Sequence, residues 1–373
     1  MMGWGLGHVT RSIPLIDSLM KDNEIILASN GNAISLLESN FPQTRVIKFP
    51  DYAVHYPRYK LLLIPSIIFQ TPRIWYQIYR EYKITNKLVQ IENIQMIISD
   101  CRYGVFNKGI PSYFITHQLR FQLTGIFKPL ENLGEKLNRV MFKNFTKVLV
   151  MDNKNSITLS GALSHQLSDN SVNLQYIGPF SSVVPSESTQ DIDVLVSISG
   201  PEIQRTLFEN TIMKQIHSLP GKKIVVLGKP DKNTNAQKVK DTTIYNHFTR
   251  AKMNDLMNRA KLVVCRSGYS TIMELAALQK KALLIPTPGQ TEQEYLAKHL
   301  SELGIFHTVS QNKLNLQHDI KNCIEPDKLS QISITNIEAF TSAIYHHQGA
   351  KSHPQFSLSS IANWKDVQAA RIF

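Results

Sequence analysis

The chain has 373 residues, 42% of them hydrophobic, and a formal net charge of +12. That length suits two domains of ordinary size, and no stretch reaches the roughly 18–20 apolar residues of a membrane span. The three cysteines, Cys101, Cys265 and Cys323, are scattered, match no metal-ligand spacing and fit a reducing compartment. Residues 1–12 lack the charged start and apolar run of a signal peptide, so a cytoplasmic location is expected. Between residues 52 and 147 there are 14 Lys/Arg against 5 Asp/Glu, which is most of the net charge. Such a stretch suits a phosphate-bearing partner or an anionic membrane face, or else a solvated surface. No nucleic-acid-binding motif is present, and nucleic acid is not an expected partner.

The chain opens MMGWGLGHVTRS, with Gly3, Gly5 and Gly7 alternating ahead of His8 and a helical pattern over 10–21. A glycine-rich loop opening a helix presents backbone N–H groups to an anion. Such a loop normally hangs from a buried strand, and none precedes this one. The expectation is a start site several residues late, because a strandless domain would leave unpaired backbone in a parallel sheet. Apolar runs at 24–29, 45–50, 94–100, 111–116 and 147–151 predict buried strands. The run 61–69, with Arg58 and Lys60 before it and "PRIWYQIYREYK" after it, reads as a membrane-interface element or as core of the first domain.

The serine- and proline-rich stretch 181–191 predicts a linker. The alternation then restarts, with strands at 192–199, 222–228, 261–265 and 281–286. Pro201 suits the first turn of a helix over 201–217, and a second helix is expected over 270–278. Two such series predict an α/β protein of two Rossmann-like parallel-sheet domains, 1–180 and 192–345. A ligand belongs in the cleft at the carboxyl ends of the strands. The end, 346–373, is mixed in character and suggests no role.

The stretch 265–300 carries the most chemistry. Its strand ends in Arg266, Ser267 and Gly268, where glycine lets backbone approach a ligand. Ser270 and Thr271 fall in the next helix's first turn, where free N–H groups favour a phosphate, and Arg266 adds a cation. Glu274, one turn on, is placed to accept from two ribose hydroxyls, or is a surface acid. The following loop delivers Gln290, Glu292 and Gln293, donors and acceptors of the kind sugar hydroxyls require.

This run resembles the donor-binding signature of GT-B glycosyltransferases of family 28, and also the UDP-binding box of plant glucosyltransferases. The resemblance implies that Arg266, Gly268, Ser270 and Thr271 hold a diphosphate, Glu274 a ribose, and Glu292 with Gln293 the sugar. Ser199 and Gly200 in "SISGPE" resemble the loop beside the diphosphate. Leu296 stands where the family pattern has an asparagine before the alanine aligned with Ala297, which leaves the sugar open. The opening GWGLGHVTRS resembles the family's N-terminal acceptor loop. His8 at its tip is the main candidate for general base, since imidazole titrates in the useful range, or else a capping or orienting histidine. His117 is similar to the family's histidine-containing acceptor loop. Asp100 and Arg102 face the predicted cleft as a second candidate base and an anion contact, or cap the following turn. The expected activity is transfer of a sugar from a UDP-sugar substrate to a lipid-linked or glycan acceptor, with inversion, without metal or cofactor. It would take place at the inner face of the plasma membrane. The alternatives are a UDP-sugar 2-epimerase and a non-catalytic glycan- or lipid-binding protein.

Overall fold

All five strands expected in the first half form, and they divide between two parallel sheets. A computed structural model describes residues 6–52, 54, 63–123, 127–168, 171–229, 236–335 and 337–345. The first half runs α1 (Leu6–Leu19), β1 (Ile26–Ser29), α2 (Asn32–Asn40), β2 (Arg45–Lys48), α3 (Leu63–Ile91), β3 (Ile97–Asp100), β4 (Ser112–Thr116), α4 (Leu130–Phe142), β5 (Lys147–Val150) and β6 (Leu174–Tyr176). β1 pairs with β2, and β3-β4-β5-β6 form a second sheet. Gly3 and Gly5 lie outside the described residues, as do Arg58, Lys60 and the end 346–373. Gly7 and His8 are not in a loop: α1 begins at Leu6, and His8 sits in its first turn. The helix starts that early because Val9, Ile13 and Ile16 cover Leu27, Leu37 and Phe41 from one face.

The second half runs β7 (Ile192–Ser197), α5 (Gln204–Met213), β8 (Lys223–Val226), β9 (Gln237–Val239), β10 (Thr242–Tyr245), α6 (Arg250–Arg259), β11 (Ala260–Cys265), α7 (Tyr269–Ala277), β12 (Lys281–Leu284), α8 (Thr291–Glu302), β13 (His307–Thr308), α9 (Leu316–Lys321) and α10 (Ile337–Tyr345). Its sheet has the order β13-β12-β11-β7-β8-β10-β9. From β7 the chain winds outward through β8 to β10, then returns to β11 on the other side of β7. The loops after β7 and β11 therefore flank the point where the winding reverses, which is where α/β sheets hold ligands. Pro201 lies ahead of α5 rather than inside it, because Ile203 takes a left-handed φ of 73° that no helix continues through.

The two halves share one apolar core. Leu15, Leu19, Tyr113 and Leu149 pack in the same cluster as Val263, Tyr269, Ile272 and Ile344. The expected boundary gives α10 to the second domain, yet it lies against the first. Tyr113 donates its hydroxyl proton to the Ile344 carbonyl at 2.8 Å, and Asn23 Nδ2 donates to the Tyr345 hydroxyl at 2.7 Å. Phe340, Ala343 and Ile344 are buried there, which gives α10's apolar side its cover. The stretch 181–191 is fastened to α6, where Val184 and Ser186 donate backbone N–H groups to Asn254 and Asn258.

Two helices of the first half turn apolar side chains to solvent. On α3 these are Ile68, Phe69, Trp75, Tyr76 and Tyr79, with Phe69 88% exposed. Arg80 and Lys83 lie over the Tyr76 and Tyr79 rings. Core burial, one expectation for the run 61–69, does not hold for Ile68 and Phe69. On α4 the exposed residues are Leu130, Leu133, Leu137 and Val140, a seam of three- and four-residue steps. Its buried residues include Glu131, Glu135 and Asn138. Glu135 accepts from Arg139 at 3.0 Å and from the Ser168 backbone at 2.8 Å, and Asn138 bridges Tyr103 and the Leu119 carbonyl. Up to its last turn, where Met141 and Phe142 are buried, this helix is inside out. Among the described residues no helix is long and apolar enough to cross a membrane.

Candidate active site

The first turn of α1 meets the first turn of α7. Ser270 Oγ donates to the Gly7 carbonyl at 3.3 Å, and a side chain at position 7 would begin 3.3 Å from that hydroxyl. A Cβ there would fit only if the serine hydroxyl shifted by a few tenths of an ångström. His8, one residue on, keeps a quarter of its side chain exposed. Its Nδ1 lies 3.2 Å from Asp100 Oδ1 and 2.7 Å from Arg11 Nη2. Burial and the neighbouring guanidinium lower its pKa, outweighing Asp100, so the ring is neutral at pH 7.

Asp100 is buried at the end of β3. Arg11 holds it at both oxygens, through Nη2 to Oδ1 and through Nε to Oδ2 at 3.2 Å, and Ser12 Oγ donates to Oδ2 at 3.2 Å. Burial pushes its pKa up, but Arg11 and His8 outweigh that and hold it well below the usual carboxylate range. A carboxylate so held orients a histidine and is a poor base. His8, Asp100 and Cys101 place one potential metal-ligand atom each within 4.8 Å of one another. Arg11 Nη2 sits against all three, 3.6 Å from Cys101 Sγ, so a guanidinium already supplies the positive charge there. Burial, with Asp100 beside it, pushes the Cys101 thiol up to about 12 in the metal-free protein.

Across the cleft, Gly268 caps α7, and Ser270 and Thr271 are half-buried in its first turn. Glu274 follows, with Oε1 accepting from Ser182 Oγ at 3.1 Å. Burial raises its pKa to about 7 against the partial relief from Ser182 and Arg250. Arg250 in turn donates to the Ser182 carbonyl through Nε and Nη2. At the start of α8, Glu292 Oε1 accepts from His117 Nε2 at 2.9 Å. His117, at the end of β4, stacks on Tyr269 with ring centroids 4.3 Å apart and planes 4° from parallel. Burial raises the Glu292 carboxyl, but His117, with His8 and Arg11 farther off, brings it below the ordinary range.

Residues 204–346 match the glycosyltransferase family 28 C-terminal domain. The chain is a GT-B protein carrying that domain. A 59-residue stretch is 39% identical to the UDP-N-acetylglucosamine--N-acetylmuramyl-(pentapeptide) pyrophosphoryl-undecaprenol N-acetylglucosamine transferase of Histophilus somni, covering 16% of each chain. The matched stretch thus spans about a sixth of that relative's length. Among solved structures, MurG of Acinetobacter baumannii superposes with a TM-score of 0.51 at 13% identity, covering 94% of both chains. The calicheamicin glycosyltransferase superposes at 0.56 and 12% identity, over 88% of this chain and 89% of that one. At such identities the likeness shows the fold.

Within the family 28 domain some expected ligand contacts face elsewhere. Arg266, expected on a phosphate, is 2% exposed, with both terminal nitrogens committed and Nε buried without a partner among the described residues. Nη1 reaches the Ile285 and Pro286 carbonyls, Nη2 the Gln204 carbonyl and Gln311 Oε1, and the guanidinium lies 4.0 Å over Phe208. It ties three loops together. Ser267 is fully buried and donates to the Gln293 carbonyl at 2.9 Å. Gln293 is largely buried, and its Oε1 accepts from the Thr287 backbone at 2.9 Å. Gln290 is half-buried as the α8 cap, while Ser199 and Gly200 are exposed at the mouth. The φ of 113° at Gly200 demands glycine. In the first half Arg102 is no anion contact. It is buried in an ion pair with Glu81 of α3, which also accepts from Tyr52. Arg102 Nη1 donates to Asn30 Oδ1 at 2.8 Å. Nothing local in the sequence points to Arg11, Ser182, Arg250 or Tyr269. Only the i, i+3 spacing of His8 and Arg11 on one helix face was there to be read.

Proposed function

We propose that the chain transfers a sugar from a UDP-sugar to a hydroxyl of a lipid-linked or glycan acceptor, with inversion at the anomeric carbon. The observation that carries this is the meeting of His8, oriented by Asp100, with the open first turn of α7. For His8 to act as base, Nδ1 must carry hydrogen and donate to Asp100, so Arg11 Nη2, 2.7 Å from Nδ1 in the ligand-free protein, has to turn wholly onto Asp100. Nε2 then has its lone pair for the acceptor hydroxyl. As the hydroxyl oxygen bonds to the anomeric carbon, its proton passes to His8 Nε2 and the bond from that carbon to the diphosphate oxygen breaks. The charge left on UDP falls on the N–H groups of Ser270 and Thr271 and on the Thr271 hydroxyl, aided by the helix dipole. Glu274 accepts from the ribose hydroxyls, and Glu292 with Gln293 lies toward the sugar. Arg11 meets the need for positive charge near Asp100 without a metal.

The acceptor is read as membrane-borne, at the cytoplasmic face. The exposed apolar and aromatic residues of α3 and α4, with Arg73, Arg80, Lys83, Lys136 and Lys143 exposed among them, suit an anionic bilayer. The test of the chemistry is His8→Ala, assayed by release of UDP from UDP-sugars with a membrane lipid extract as acceptor. Turnover should fall by roughly 10²–10⁴-fold, the scale of general-base catalysis, while UDP-sugar affinity holds. Unchanged turnover would remove His8 from the role.

A further inference from the structure

We infer that His117 is a positioning residue for the sugar end of the donor site, so that this end is built jointly by both halves of the chain. The inference rests on the UDP-sugar reading above and assigns a task within it. Glu292 belongs to α8 of the second half, but the group that aims its carboxylate comes from the loop after β4 in the first. The ring is well fixed for this. It is 6% exposed, it lies flat against Tyr269, and Tyr269 is itself anchored by donating to the Met151 carbonyl. Nε2 gives its proton to Glu292 Oε1, and the buried Nδ1 has no partner among the described residues. The bond to Glu292 is therefore the ring's one polar tether there, and it leaves Oε2 to accept from a sugar hydroxyl.

Two consequences separate this from a merely structural histidine. UDP alone ends at the diphosphate and does not reach Glu292, so its affinity should ignore His117. A UDP-sugar reaches Glu292 and should feel the loss of its orientation. The two residues should also act as one unit, so that removing the second after the first changes little.

The experiment is calorimetry of UDP, UDP-glucose, UDP-galactose and UDP-N-acetylglucosamine on the full chain and four variants. His117→Phe keeps the stack on Tyr269 and loses the tether, and His117→Gln restores a donor. Glu292→Gln and the double variant His117→Phe/Glu292→Gln complete the cycle. UDP affinity should stay within about twofold throughout, because no contact to UDP is altered. Affinity for the preferred UDP-sugar should fall about tenfold or more in His117→Phe, the scale of one hydrogen bond to a charged group. It should largely return in His117→Gln and fall no further in the double variant. Parallel loss of UDP and UDP-sugar, or full additivity of the two changes, would overturn the assignment. A wild-type chain that takes no UDP-sugar would instead overturn the donor-site reading. Spectra of ¹⁵N-histidine-labelled, ligand-free protein judge the pair independently: the His117 Nε2 signal should move in Glu292→Gln, and a fixed signal refutes the pairing.

Discussion

On the proposed function, Glu274 gives the donor site a pH dependence whose sign and size follow from its surroundings. Burial raises its carboxyl from 4.5 to about 7 in the ligand-free protein. Ribose hydroxyls donate, so they hydrogen-bond the ionised form and favour it. UDP-sugar affinity should therefore rise with pH through 7. About a tenth of the carboxyl is ionised one unit below its pKa and about nine tenths one unit above. Affinity should thus fall about tenfold from pH 8 to pH 6, about 1.4 kcal/mol, and level off above pH 8. UDP-sugar is the ligand of choice, because free UDP carries a terminal phosphate that itself titrates near pH 6. Calorimetry at pH 7 in buffers of different ionisation enthalpy should also detect about half a proton released per sugar nucleotide bound.

The ligand-free protein should show the opposite trend. A carboxyl whose pKa is raised on folding binds more protons folded than unfolded, so its stabilising effect is full below 4.5 and is lost as pH rises to about 7. That rise corresponds to about 3 kcal/mol. Glu274→Gln should accordingly stabilise the ligand-free chain at pH 8 while weakening UDP-sugar by about 1.5–3 kcal/mol, the range for a bond to a charged acceptor. Affinity that stays flat between pH 6 and 8 in the wild type would refute the argument. So would Glu274→Gln binding as tightly as wild type.

Two further outcomes are expected. Arg102→Met should lower stability by about 3–5 kcal/mol in urea unfolding, since it leaves Glu81 buried without its cation; a loss under about 1 kcal/mol would show that the pair is not structural. Leu133→Lys with Leu137→Lys on α4 should weaken binding to phosphatidylglycerol vesicles about tenfold or more without lowering the melting temperature, because both side chains are exposed. Unchanged vesicle binding would remove α4 from the membrane contact.

The strands were legible because each is a short run of β-branched or large apolar residues that the sheet then buries, as in Val194, Leu195 and Val196 or Leu283 and Leu284. The start of α7 was legible too, since a strand, a glycine and two hydroxyl residues before an apolar helix leave few other local structures. Arg266 misled because a cation after a strand looks alike whether it faces a phosphate or a set of carbonyls. Its partners come from Gln204, Ile285 and Gln311, and only the folded chain gathers them. His8 was placed by type but not by company, since Asp100 lies 92 residues away. The share of core between the halves was hidden for the same reason. Tyr113 and Ile344 meet across 231 residues, and nothing local in either stretch announces the other.

The inverted helix α4 changes what substitutions there mean. On most helices Leu→Lys is damaging and Glu→Leu is a gain of packing. Here Leu137→Lys falls at a side chain half open to solvent in the free protein, whereas Glu135→Leu would strip Arg120 and Arg139 of their shared carboxylate. A mutational scan scored on abundance would therefore rank the seam as freely replaceable and the acids as indispensable. Selection for solubility alone would erase the leucines first, leaving a chain that expresses well, keeps its cleft intact and has lost the surface proposed to meet a bilayer.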